Sequence, residues 1–141
     1  MDKIIYTAVV TSKGGRDGHI HSSDGILDID LAIVDGLGMV SGKQQGTNPE
    51  QLFAGGYAAC FESTMGGVAA AMKIPLTESS VVGTVNLNKG AGGLFLSVRL
   101  DVSLPGMSIE NGNKLIEQAH LYCPYSKGLH GNVTVETTLT V

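Results

Sequence analysis

Tryptophan is absent from the 141-residue chain, aromatic residues make up 5% of it, and there are only two cysteines. Two cysteines are too few for the disulfide framework of a small secreted domain. In a reducing compartment such a pair is catalytic, redox-active or inert rather than structural. Basic residues are scarce too: 9 Lys and Arg stand against 13 Asp and Glu, for a net charge of −4. They are scattered, so the chain offers neither a basic face for nucleic acid nor a polybasic stretch for a membrane. The opening segment MDKIIYTAVV lacks the apolar core and cleavage site of an export signal, and a cytoplasmic location is the expectation. Residues 52–72 are apolar enough to suggest a membrane span, but they carry Glu62 and consist largely of Gly, Ala and Ser. What remains is a chain suited to small-molecule or protein partners.

Glycine, by contrast, is abundant at 20 residues, which favours turns and close backbone approaches. The hydrophobic fraction of 43% is ordinary for a globular protein, and the length fits one domain spanning residues 1–141. Ile4 to Thr11 reads as a strand, KGGRDGHIHSSDG as a glycine-punctuated connection, and Ile26 to Val34 as a second strand with near-strict alternation. DGLGMVSGKQQGT is a loop. A long helix follows: Asn48 caps it, Pro49 suits its first position, Gln51 completes a capping-box pattern, and Lys73-Ile74-Pro75 ends it. SSVVGTVNLN and LFLSVRLDVSL form a hairpin around KGAGG, Ser108 caps a helix over about Ile109 to Leu121, and GNVTVETTLTV closes the chain as a strand. The order β-β-α-β-β-α-β, built from hairpins, predicts an α+β fold with antiparallel sheets.

The first helix carries two stripes. Gly55, Ala59, Ser63, Gly67 and Ala71 recur every four residues as a small-residue band that permits close approach by another helix, while Phe53, Tyr57, Phe61 and Met65 form a bulky band beside it. Cys60 lies in mid-helix, where packing filler and a presented thiol are both open readings. Cys123 follows the second helix and precedes Pro124, so it falls at the N-cap of a new turn, where unpaired N–H groups and the helix dipole favour a thiolate. Zinc held by His120 and Cys123 with His19 and His21 is a weak alternative, because no CxxC knuckle is present. A Cys60 hydrolase with one of the four histidines as base lacks a nucleophile elbow.

The segments GGRDG (14–18), SSDG, GTNPEQLFAGGYAACF (46–61), LPG (104–106) and AHLYCPYSKGLHGNV (119–133) together resemble the organic hydroperoxide resistance (Ohr) proteins of the Ohr/OsmC family. The resemblance runs the full length, and NPEQLFA before the first cysteine with CPYS at the second points to the Ohr branch. This chain departs from the pattern at Glu62 and at SKGLHG after CPY.

The resemblance implies an OsmC-like fold, with antiparallel sheets around a central Cys-bearing helix, in an intertwined homodimer. It also implies a thiol-dependent peroxidase for lipid and alkyl hydroperoxides, with no bound cofactor or metal, reduced by the dihydrolipoamide of lipoylated proteins. On that resemblance Cys60 is the peroxidatic cysteine, Cys123 the resolving cysteine, Arg16 the arginine of the site and Glu50 its orienting glutamate. Physical chemistry agrees with these roles. A peroxide is attacked by thiolate, an ordinary cysteine is mostly protonated at neutral pH, and a guanidinium can serve a carboxylate and a developing negative charge together. In a straight helix Glu50 and Cys60 are about 15 Å and about 80° apart. Three arrangements would let them act together: a break at Gly55-Gly56, the reach of the Arg16 side chain, or a second subunit completing the site; the glycines favour the break. A redox sensor or hydrophobic-ligand module without turnover is the competing class.

Overall fold

The described residues, 2–141 of the computed structural model, fall into two units, Met1–Leu52 and Phe53–Val141. In the first unit, β1 (Val10–Lys13), β2 (His19–Ser22) and β3 (Asp28–Asp30) form an antiparallel sheet in chain order. This corrects the expected pair of long strands. Ile4, Ile5 and Tyr6 alternate like a strand, yet they are 82%, 94% and 78% exposed, and among the described residues no strand pairs with them. The middle strand lies in the segment expected to be a connection. Only Ile20 between His19 and His21 signals it, and Ile20 is the residue that the sheet buries.

In the second unit, β4 (Ser80–Gly90) and β5 (Gly93–Ser103) form the expected hairpin, in register from Ser80 opposite Ser103 to Gly90 opposite Gly93. The final strand, β6 (Thr134–Thr140), pairs parallel to β5. The sheet is therefore mixed rather than wholly antiparallel, because two helices cross over between β5 and β6. These are α2 (Ile109–Tyr122) and the short α3 (Pro124–Leu129), and a connection of that length is what parallel pairing requires.

The Cys60 helix, α1, runs unbroken over Pro49–Met72. Asn48 Oδ1 accepts from the Gln51 N–H at 2.8 Å, as an N-cap does, but the reciprocal half of the capping box is absent: the Gln51 side chain bonds Thr47 instead. At the other end Lys73 adopts a left-handed φ of 56°, Lys73 N–H bonds Ala70 O and Ile74 N–H bonds Ala69 O, which is a Schellman stop. The expected break at Gly55-Gly56 does not occur. Gly56 serves packing, since a Cβ there would fall 2.7 Å from the Tyr125 hydroxyl.

The bulky band faces inward: Tyr57, Phe61 and Met65 are fully buried. Val98, Leu100 and Val102 on alternate positions of β5 meet them, with Leu115 and Ala119 of α2 and Cys123 closing the core. The small-residue band points outward, and Gly55, Ala59, Ser63, Gly67 and Ala71 are all exposed. Each band thus keeps to one side, as a four-residue spacing on a helix dictates.

Candidate active site

Cys60 and Cys123 are both free thiols, and their sulfurs lie 3.6 Å apart. Cys123 caps the end of α2 and the start of α3. Its N–H bonds Ala119 O at 2.8 Å and its carbonyl accepts from Lys127 N at 3.0 Å, which fixes its backbone from both sides. Its side chain is fully buried, whereas Cys60 is only partly so. A disulfide bond is about 2.05 Å long, so closure asks the sulfurs to approach by about 1.5 Å.

The electrostatics within this unit oppose ionisation of Cys60. Burial pushes its thiol pKa up, and the neighbouring Cys123 pushes the same way, while the Tyr125 backbone N–H and the Thr64 hydroxyl pull it down. Cys123 makes no side-chain capping bond to α3, contrary to what its N-cap position suggests.

Around the two thiols runs a chain of hydrogen bonds with four elements in it. Thr137 of β6 meets His120 Nε2 at 2.8 Å, His120 Nδ1 meets Ser126 Oγ at 3.1 Å, and Ser126 Oγ meets the Tyr57 hydroxyl at 2.8 Å. Burial holds His120 below the usual histidine pKa and raises Tyr57 above the usual tyrosine value. The His120 ring also packs on Phe61 at 4.6 Å, and Tyr57 stacks on Tyr125 at 5.5 Å. A cavity of about 540 Å³ opens beside Tyr57, His120 and Ser126. Sequence reasoning weighed His120 only as a metal ligand or base and passed over Tyr57 and Ser126. The available signal was spacing, because Tyr57 stands one turn before Cys60 while His120 and Ser126 stand one turn either side of Cys123. Both His120 nitrogens are taken by hydroxyls, and among the described residues no group of three His, Cys, Asp or Glu is arranged to hold a metal.

The first unit holds the other two expected residues. Arg16 sits in a 3-10 turn, Gly15–Asp17, whose shape depends on its glycines. Gly14 has a φ of 86°, and a Cβ on Gly18 would fall 1.9 Å from the Lys13 carbonyl oxygen. Asp17 ties the turn to the following loop by accepting from Ser41 Oγ and from the Gly42 N–H. Arg16 then meets Glu50, in the first turn of α1, through two parallel bonds of 2.8 and 2.7 Å. The pairing raises the guanidinium pKa further and holds the Glu50 carboxyl below its usual range. Glu62, the departure after CF, is also accounted for: its carboxylate accepts from Ser79 Oγ at 2.9 Å.

An α+β chain that brings two reduced cysteines together between a helix and a helix junction is, as a class, a dithiol protein. A family model described as OsmC-like protein matches residues 42–138. The organic hydroperoxide resistance protein of Xanthomonas axonopodis pv. citri is 44% identical over 139 residues, covering 98% of this chain and 96% of that one. Organic hydroperoxide resistance protein OhrB of Bacillus subtilis is 43% identical over 137 residues, covering 96% and 98%. A crystal structure of an organic hydroperoxide resistance protein from Legionella pneumophila superposes with a TM-score of 0.91 at 41% identity, covering 99% of this chain and 100% of that one. The chain belongs to the OsmC-like family, with relatives on its organic hydroperoxide resistance branch. Among the described residues no helix is long and apolar enough to cross a membrane.

Proposed function

We propose that this chain is a cysteine-based peroxidase that reduces organic hydroperoxides to alcohols. One observation carries the reading: two reduced sulfurs 3.6 Å apart, one buried and the other partly exposed. The Cys60 thiolate attacks the terminal peroxide oxygen, the O–O bond breaks, and the alkoxide takes a proton and leaves as alcohol. Cys60 is then a sulfenic acid. Cys123 attacks its sulfur, hydroxide leaves as water, and a Cys60–Cys123 disulfide remains. A dithiol such as the dihydrolipoamide of a lipoylated protein supplies the two electrons that restore both thiols.

Burial raises the Cys60 pKa, so the reaction needs a cation, and Arg16, braced by Glu50, is the proposed source. The guanidinium comes from the same chain or from a second copy. The outward small-residue band of α1 and the exposed Ile4, Ile5 and Tyr6 support a homodimer. The chemistry itself calls on no bound cofactor or metal, and a cytoplasmic setting suits free thiols. The test is steady-state consumption of cumene hydroperoxide with dihydrolipoamide as reductant. Multiple turnovers per protein support the reading, whereas at most one equivalent consumed would reassign the chain to sensing.

A further inference from the structure

The recycling half of the cycle has a regiochemistry that the geometry decides. We infer that the external dithiol forms its first bond to Cys60, and that Cys123 is always the sulfur released. The inference rests on the Cys60–Cys123 disulfide proposed above. Thiol–disulfide exchange is an in-line displacement: the attacking sulfur approaches along the S–S axis, opposite the sulfur that leaves. Cys123 is fully buried by its own chain, and Cys60 keeps part of its surface open. A thiol arriving from solvent therefore meets Cys60 first, with Cys123 behind it on the inner side.

The reverse attack would need Cys123 uncovered, and the fold guards against that. Ser126, one turn after Cys123, is tied to Tyr57 of α1 and to His120 of α2, and His120 is tied in turn to Thr137 of β6. The backbone of Cys123 is held by Ala119 on one side and Lys127 on the other. Opening α3 would break both Ser126 bonds and leave the buried Tyr57 hydroxyl and His120 Nδ1 without partners, a costly event. Assembly with a second copy can only add cover to Cys123, never remove it.

The step balances. A dithiol thiolate attacks Cys60 Sγ, a new S–S bond forms between the dithiol and Cys60, and the Cys60–Cys123 bond breaks, with Cys123 leaving as thiolate and taking a proton. The second thiol of the dithiol then attacks its own bonded sulfur, releases the Cys60 thiolate and closes a cyclic disulfide. Two electrons pass from the dithiol to the protein. Cys60 thus receives the peroxide oxygen in one half of the cycle and the reductant in the other.

The experiment uses the wild-type chain. Its disulfide is made with diamide, so that no peroxide chemistry is involved, and it is then treated briefly with the monothiol 2-mercaptoethanol, acid-quenched, alkylated with N-ethylmaleimide and mapped by peptide mass. The expected product carries mercaptoethanol on Cys60 and maleimide on Cys123, in excess of the reverse isomer by about tenfold or more. Equal amounts, or mercaptoethanol mainly on Cys123, would overturn the inference. Failure of diamide to produce the disulfide would overturn the cycle and this step with it. The expected adduct in a protein that turns over no peroxide would instead retain the step and sink the peroxidase reading. A second measurement compares iodoacetamide alkylation of Cys60 in Cys123→Ser with that of Cys123 in Cys60→Ser. Cys60 should react about tenfold faster, and comparable rates would count against the inference.

Discussion

At Arg16, charge and geometry can be separated. The guanidinium makes two parallel bonds to Glu50, with the side chains 34% and 15% exposed, so the pair is less screened than an open surface pair. If Arg16 only donated charge, Arg16→Lys would keep the activity wherever Cys60 is ionised. A lysine has no fork to brace against Glu50 while holding a peroxide, so the variant should lose activity by about tenfold or more even at a pH where absorbance shows full thiolate. A rate equal to wild type there would reduce Arg16 to a charge donor. Cys60→Ser should abolish turnover while leaving the fold intact. Cys123→Ser should allow a single round and leave Cys60 open to oxidation to sulfinic acid, readable by intact mass. The pairing of Cys60 with Cys123 and of Arg16 with Glu50 was legible in the sequence because each residue sits in a short motif that carries the family resemblance. Tyr57, His120 and Ser126 were not, because their bonds join four elements and no local pattern announces a contact between residues 57, 120, 126 and 137.

Among the elements, α1 and the α2–α3 junction do most of the positioning. Phe61 is fully buried between β5 and α2, and Phe61→Ala should cost about 3–5 kcal/mol in chemical denaturation. Ser126→Ala removes the central member of the buried hydrogen-bond chain, leaves the Tyr57 hydroxyl and His120 Nδ1 unpartnered, and should cost about 1–3 kcal/mol. His120 adds a pH dependence of defined sign. Its pKa is lowered in the fold by burial, so the unfolded chain binds the proton more readily. Stability is unaffected above the unfolded value of about 6.5 and falls as the pH drops from there toward the folded value. Denaturation midpoints from pH 7 downward should show this loss, and His120→Gln should flatten that part of the curve. An unchanged slope would remove His120 from the account. Helix limits were readable because Asn48, Pro49, Ser108 and Pro124 punctuate them. The break at Gly55-Gly56 was misread because glycine at 56 answers to Tyr125, a contact distant in sequence. The parallel β6 was misread because alternation fixes a strand's faces but not its direction.

For the whole molecule, the exposed band Gly55, Ala59, Ser63, Gly67 and Ala71 and the exposed Ile4, Ile5 and Tyr6 offer surface for a second copy. Light scattering at micromolar concentration should give twice the chain mass, and Ala59→Arg, in the middle of the band, should shift the population toward monomer. A monomer in the wild type would remove the second copy from the proposed site. The central claim concerns the sulfur pair, and one measurement addresses it most directly. The reduced wild-type protein is mixed with a single equivalent of cumene hydroperoxide, and the protein mass and the alcohol formed are measured together. The account predicts one alcohol per chain and the loss of two hydrogens from the protein, mapped as a Cys60–Cys123 disulfide. A protein that keeps both thiols, or that gains oxygen without closing the disulfide, would contradict it.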